Sequence, residues 1–247
     1  MRYGGNDPHI YENGVLKNKL GVKTQSELDD KEKDITAFRI AQLRNKPIQG
    51  NFDLKHLQDI HRFIFSPIYD WAGEIRDGTL SKGDTVFTYP ERIAPEINKL
   101  LANLKTENYL EDLPQTEVTK RLAYYLGELN VHHPFREGNG RTQRVFISDL
   151  AERAGYKLNL LNIPQNEMIE ASIRVYRNMD YSLLEKLIAS RIEPLFKMDD
   201  IVSAKLAEQM NGKAMMENYA RQFTNLKEPA EQTSTMDVVI SHSLKRR

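Results

Sequence analysis

Between His133 and Arg144 the chain reads HPFREGNGRTQR, so a histidine, a carboxylate, a Gly-Asn-Gly turn and two arginines three residues apart share one short stretch. Gly138 and Gly140 can adopt backbone conformations closed to other residues. Successive N–H groups around Asn139 can therefore converge ahead of the helix that begins near Gly140, where its dipole is positive. A Gly-Asn-Gly run alone is an ordinary turn. Arg141 and Arg144 change that reading, because they are i, i+3 neighbours in the first turn of the helix, where positive charge is unfavourable unless an anion compensates it. A polyphosphate would supply the compensation. Glu137 would be repelled by such a ligand unless a cation lay between them, and Mg2+ binds in this mixed way, to one carboxylate, phosphate oxygens and water. A lone carboxylate at a helix start has a simpler explanation, but that explanation leaves the arginines unaccounted for. His133, held between a helix end and Pro134, is the candidate general base, since neutral imidazole accepts a proton near pH 7 without special tuning. Its neighbour His132 reads as a structural helix-end residue. Phe135 reads as the buried anchor of the loop.

The elements that must position these groups follow from spacing and punctuation. From about Ser26, the residues Leu28, Ile35, Phe38, Ile40 and Leu43 recur at helical spacing until Asn45 and Pro47. Asp53 then caps LKHLQDIHRFIF, whose Leu54, Leu57, Ile60, Ile64 and Phe65 share a face before Pro67. The stretch from Tyr69 to Tyr89 holds the only tryptophan and a Lys82-Gly83-Asp84 turn between short β-prone runs, which predicts a loop and a small β-hairpin. Helical periodicity returns over Pro90 to Leu110 and over Glu117 to His132, the second with Val118, Leu122, Leu126 and Leu129 as its stripe. Pro134 stops that helix. A further helix is expected from about Arg141 to Ala154, with Val145, Phe146, Leu150 and Ala151 inward and Gly155 just past its end. Two more fit Pro164 to Arg177 and Tyr181 to Arg191. Beyond Pro194 the pattern predicts one amphipathic helix over about 199–222 and then a polar, mobile tail. The expected fold is all-α with a small hairpin, one domain over 1–195 and an extension over 196–247, without internal repeats.

Composition bounds what this architecture can do. The chain has 247 residues, 40% of them hydrophobic, and Lys plus Arg equals Asp plus Glu at 35 each. With zero net charge there is no global field to attract nucleic acid or anionic lipid, so anion recognition has to be local. Three basic residues, Lys245-Arg246-Arg247, on a neutral chain are expected to be solvated, so no nucleic-acid partner is expected. Cysteine is absent, which excludes disulfides, thiol catalysis and thiolate metal sites. The N-terminal MRYGGNDPHIYENG has no apolar signal region, and no window approaches a transmembrane span. The expectation is a protein cytoplasmic at synthesis, with export as an effector by a C-terminal or structural signal left open, and no membrane partner.

The stretch from His133 to Arg144 resembles the signature of Fic domain proteins, HxFx(D/E)GNGRxxR, and fills each specified position. FDLKHLQDIHRFIFSPIYDWAGEIR resembles the family's upstream helix and Trp-Ala-Gly loop, and the hairpin around Gly83 to Tyr89 is similar to its flap, so the likeness runs from about Tyr11 to Arg191. It implies a helical bundle with a hairpin flap and transfer of AMP from ATP to a hydroxyl side chain of a target protein. By position, His133 would deprotonate that hydroxyl and Glu137 would hold Mg2+. Gly138, Asn139 and Gly140 would cradle the phosphates, and Arg141 and Arg144 would stabilise the outer ones. The flap residues Asp84, Thr85, Val86, Phe87 and Thr88 would align the target by strand addition. Many members carry an inhibitory (S/T)xxxE(G/N) motif whose Glu pairs with the arginine at the position of Arg144. Here SDLAER (148–153) and TNLKEP (224–229) have the spacing without the final Gly or Asn. The resemblance therefore implies a separate antitoxin-like protein supplying a Glu to Arg144, or an effector without an internal brake. Transfer of another nucleotide or of phosphocholine, and a catalytically silent interaction module, are the competing readings.

Overall fold

Apolar spacing and helix punctuation give seven helices among the residues described by the computed structural model, which are 2–3, 7–161 and 163–195. They are α1 (Gln25–Asn45), α2 (Leu54–Phe65), α3 (Pro90–Thr106), α4 (Gln115–His132), α5 (Asn139–Arg153), α6 (Gln165–Asn178) and α7 (Ser182–Ala189). The helix expected over 199–222 and the polar tail lie outside the described residues. The bundle is built around α5, which packs on α2 along one side and on α4 along another. Leu57, Ile60 and Ile64 of α2, Leu122 and Leu129 of α4, and Phe146, Ile147 and Leu150 of α5 are fully buried between them. Asp53 caps α2 as its sequence predicts, accepting from the His56 N–H at 2.8 Å.

The strands are short. β1 (Arg2–Tyr3), β2 (Leu80–Lys82) and β3 (Thr85–Val86) form an antiparallel ribbon in that order, and β4 (Tyr156–Leu158) pairs with β5 (Ile192–Pro194). The hairpin is the expected one: Lys82 is paired with Thr85, and Gly83 takes φ 59° in the turn. The third strand and the β4–β5 pair are additions, since runs of two or three residues carry no readable period.

Two expectations change. Phe38 is 64% exposed, and the buried face of α1 carries Glu32 and Thr36 among Leu28, Ile40 and Leu43. An apolar stripe cannot reveal a helix whose inner face meets a polar site. The helix expected over Pro90 to Leu110 ends at Thr106, after which Asn108, Tyr109 and Leu110 form a 3-10 turn with positive φ. Arg153 lies over the Tyr109 ring at 3.5 Å and holds that turn against the end of α5.

The junction between α2 and the segment after α4 is polar and fully buried. His61 accepts at Nδ1 from the Gly73 N–H at 2.8 Å, so its proton sits on Nε2, which donates to the Glu137 carbonyl at 3.0 Å. Burial pulls this imidazole down to about 3, against a smaller upward pull from the Glu137 carbonyl. The unfolded chain takes up a proton near 6.5 that the folded chain refuses. This contribution is therefore complete at neutral pH and is lost as pH falls from about 6.5 toward about 3. At pH 5 the loss is about 2 kcal/mol. Urea unfolding at pH 7 and pH 5 should show a drop in stability that is smaller by about this amount in His61→Gln; an equal drop in both proteins would count against the assignment.

Candidate active site

The loop between α4 and α5 is closed by its own residues. α4 ends at His132, and the next residue, His133, still donates its N–H to the Leu129 carbonyl at 3.0 Å while its backbone turns left-handed, at φ 47° and ψ 62°. Phe135 is fully buried, as expected, and stacks on His61 with ring centroids 3.9 Å apart. Asn139 clamps Phe135 from both sides: its Oδ1 accepts from the Phe135 N–H at 2.8 Å, and its Nδ2 donates to the Phe135 carbonyl at 2.6 Å. Its side chain thereby closes the loop. Gly138 has φ 79°, and a Cβ there would meet the Phe65 ring at 2.1 Å. Only glycine fits both constraints.

The consequence is an open helix start. The first bond of α5 runs from the Thr142 N–H to the Gly138 carbonyl, and the Gly138 N–H is taken by its neighbour Glu137 at 2.8 Å. The N–H groups of Asn139, Gly140 and Arg141 have no acceptor among the described residues, and all three residues line a cavity of about 890 Å³. Unsatisfied donors at the positive end of a helix form an anion site.

Both arginines line the cavity, but they are held differently. Arg141 is bound by Glu32 at Nη2 and by the Thr36 hydroxyl at 3.1 Å, with Glu137 Oε1 at 3.4 Å. Glu32 also accepts from the Tyr69 hydroxyl. Arg144 has no side-chain partner among the described residues, and burial lowers its affinity for its proton, with Arg141 adding to the effect. A half-buried guanidinium with no carboxylate beside it favours a bound anion. Glu137 is shifted the other way: burial raises its carboxyl, the Glu32 carboxylate adds to that, and the Gly138 N–H and Arg141 oppose it. No group of three or more His, Asp or Glu side chains converges among the described residues. A divalent cation at Glu137 would therefore complete its shell with ligand oxygens and water. Such a cation would relieve the carboxylate's burial, so this donor set fits Mg2+ bound with a polyphosphate.

His133 lines the same cavity. Its Nδ1 lies 3.3 Å from the Asn130 carbonyl, which places the proton on Nδ1 and a lone pair on Nε2. Nε2 is buried without a partner, beneath the Phe87 ring stacked at 3.9 Å and 15°. Burial pulls the imidazole down to about 3, with Arg76 and Lys82 adding to the shift. The imidazole is thereby kept neutral throughout the physiological range. His132 is structural, its Nδ1 lying 3.1 Å from the Thr88 hydroxyl.

Of the expected flap residues, Thr85 and Phe87 face the cavity, whereas Asp84 is exposed at the tip, Val86 is exposed on the outer side and Thr88 sits at the base. Sequence reasoning missed Glu32, Thr36 and Tyr176. The last lines the cavity from α6 and donates to the Val86 carbonyl at 3.0 Å. None of the three stands in a motif, and only a buried carboxylate within an apolar helix face could have signalled the first.

Comparison with known proteins places this geometry. The Fic/DOC family model matches residues 51–151. The chain is 42% identical over 177 residues to "Protein adenylyltransferase VbhT" of Bartonella schoenbuchensis, covering 70% of this chain but only 36% of that relative. It is 37% identical over 169 residues to "Probable protein adenylyltransferase Fic" of Escherichia coli, covering 68% of this chain and 84% of the relative. Among solved structures, the N-terminal Fic domain of a VirB-translocated Bep effector from Bartonella quintana, with bound ADP, superposes with a TM-score of 0.71 at 30% identity. That superposition covers 78% of this chain and 97% of the other.

The glycine at 138 carries a direct test. Gly138→Ala adds a methyl group onto the Phe65 ring and a side chain at positive φ, so α5 must shift. Calorimetric affinity for Mg·ATP should fall at least tenfold, with a loss of stability of about 2–4 kcal/mol. Gly155→Ala, with φ 88° but open space around it, should cost about 1 kcal/mol and leave binding intact. Equal affinity in both variants would contradict the nest.

Proposed function

The chain belongs to the Fic/DOC family, and from that premise we propose that it is a protein adenylyltransferase, moving AMP from Mg·ATP to a hydroxyl side chain of a target protein. The observation that carries the reading is the unpartnered Nε2 of neutral His133, facing the same cavity as the open start of α5. In this reading nucleophile activation and phosphate binding stand side by side.

In this reading the triphosphate lies against the N–H groups of Asn139, Gly140 and Arg141, with Arg144 taking the negative charge that no protein carboxylate claims. Arg141, oriented by Glu32 and Thr36, offers a fixed guanidinium at the same end. Glu137 would hold Mg2+, which supplies charge neutralisation between the phosphates. The base of the nucleotide has an apolar wall in Met168, Ile169 and Ile173 of α6. The target hydroxyl gives its proton to His133 Nε2 as its oxygen bonds to the α-phosphorus. The bond to the β-phosphate oxygen breaks, and pyrophosphate leaves. Positioning and electrostatics supply most of the acceleration. The acceptor hydroxyl has to enter where the Phe87 ring now covers the imidazole.

The target chain is expected to add to the outer edge of β3. The Phe87 N–H bonds inward to the Leu80 carbonyl, so the Val86 carbonyl points outward, where Tyr176 meets it. Regulation follows from Arg144. A glutamate delivered by a small partner protein would neutralise it and exclude the terminal phosphate, which is the restraint expected of a chain that lacks the inhibitory motif. Delivery into another cell is the alternative setting, and the Bartonella quintana neighbour is a translocated effector. No helix among the described residues is long and apolar enough to cross a membrane.

Incubation of a cell extract with the protein and ATP labelled at the α-phosphate should label acceptor proteins, whereas γ-labelled ATP should not. His133→Ala should cut transfer by about 10²–10⁴-fold while retaining Mg·ATP binding. Label from the γ-phosphate, or undiminished transfer by the variant, would overturn the reading.

A further inference from the structure

The flap and the catalytic histidine belong to separate parts of the chain, and a ribbon of two- and three-residue strands does not hold itself in place. Some other group has to set the distance between the outer edge of β3 and the His133 imidazole. Arg76, only 4% exposed, stands between them. Its Nε donates to the His133 carbonyl at 2.9 Å and its Nη1 to the Gly78 carbonyl at 2.7 Å. Its Nη2 donates to the Thr88 carbonyl, with the His132 carbonyl at 3.4 Å, and its backbone N–H bonds the Pro134 carbonyl at 2.9 Å.

Gly78 and Thr88 are the two feet of the hairpin, so one planar guanidinium grips both legs of the flap. Its remaining donors grip the backbone on either side of the catalytic imidazole. The His133 carbonyl is the one whose direction is set by the left-handed turn at that residue, and turning it would swing the ring away from Phe87. A fork of fixed donors suits this task, whereas a lysine, with one rotating ammonium, cannot satisfy carbonyls on both sides at once.

We propose that Arg76 is a positioning residue of the transfer: it fixes the register between the flap edge that aligns the target chain and the imidazole that receives the target's proton. The proposal rests on the adenylyltransferase reading. It predicts a selective defect in which a protein acceptor is no longer held over His133, while the nucleotide site beyond the loop is intact.

The test uses the full chain as wild type, Arg76→Lys and Arg76→Met, with three readouts. Hydrogen exchange at residues 79–88 and at the His132 and His133 amides should accelerate at least tenfold, in both segments together, in Arg76→Lys, with the amides of α2 and of α4 up to Val131 unchanged. Transfer of α-label to extract proteins should fall at least tenfold in Arg76→Lys, while Mg·ATP affinity stays within about twofold. The acid limb of residual transfer should move to higher pH in Arg76→Met, where the cation beside the imidazole is lost, and stay in place in Arg76→Lys. Unchanged exchange in Arg76→Lys, or a parallel loss of transfer, nucleotide binding and melting temperature, would overturn the proposal. Absence of any α-label transfer by the wild-type chain would instead remove the adenylyltransferase reading and leave the exchange result to judge the clasp.

Discussion

The stack of Phe135 on His61 is the contact on which the site depends. It joins the loop before α5 to the face of α2, and the imidazole beneath is committed at both nitrogens, to the Gly73 N–H and the Glu137 carbonyl. The contact is apolar on its face and polar at its edge, so it fixes rotation as well as distance. Once Phe135 is seated, Asn139 closes the loop around its backbone, and the Gly138 turn brings the start of α5 into the cavity. An open helix start is costly to keep dry and unpaired. The bundle tolerates it because the cavity is accessible to solvent and, in function, to phosphate.

Charge in the site is arranged in series. Glu32 holds Arg141, Arg141 reaches back toward Glu137, and Glu137 is left short of compensation, with its carboxyl raised by burial and by Glu32. At the other end Arg144 is left short of an anion. The array without ligand is thus unbalanced at both ends, with a carboxylate in need of a cation and a guanidinium in need of an anion. A metal–polyphosphate complex carries both complements in one molecule, which neither phosphate nor metal alone would do. The first arginine is the one that the fold itself already pays for. Its partner lies 109 residues upstream.

Much of this was legible in the sequence, for uneven reasons. The motif from His133 to Arg144 could be read because it concentrates groups that conflict unless a ligand reconciles them. The helix limits at Asp53 and Pro134 could be read because capping and proline act locally. What stayed hidden acts at long range. Glu32 and Thr36 look like ordinary polar residues of an exposed helix until α1 is laid against the cavity, and Phe38 looks like core until that same rotation leaves it in solvent. Arg76 is one more charged residue in a loop until both feet of the hairpin and the end of α4 are brought to it. Strands of two or three residues leave no periodicity, so β1, β4 and β5 exist only through their tertiary partners.

The covered imidazole links acceptor entry to basicity. Beneath Phe87, His133 is neutral but a weak base, because burial penalises its charged form and its Nε2 has only an aromatic face above it. Water that reached the α-phosphate in this state would find little help in losing its proton. Under the adenylyltransferase reading, an acceptor chain added along β3 would displace the ring and bring a hydroxyl to Nε2, and the anionic nucleotide would favour the imidazolium formed as the proton moves. In that reading the group would become a competent base only when the correct nucleophile occupies the place of the phenyl ring. Under the adenylyltransferase reading, the flap that aligns the target therefore also keeps the site quiet toward solvent.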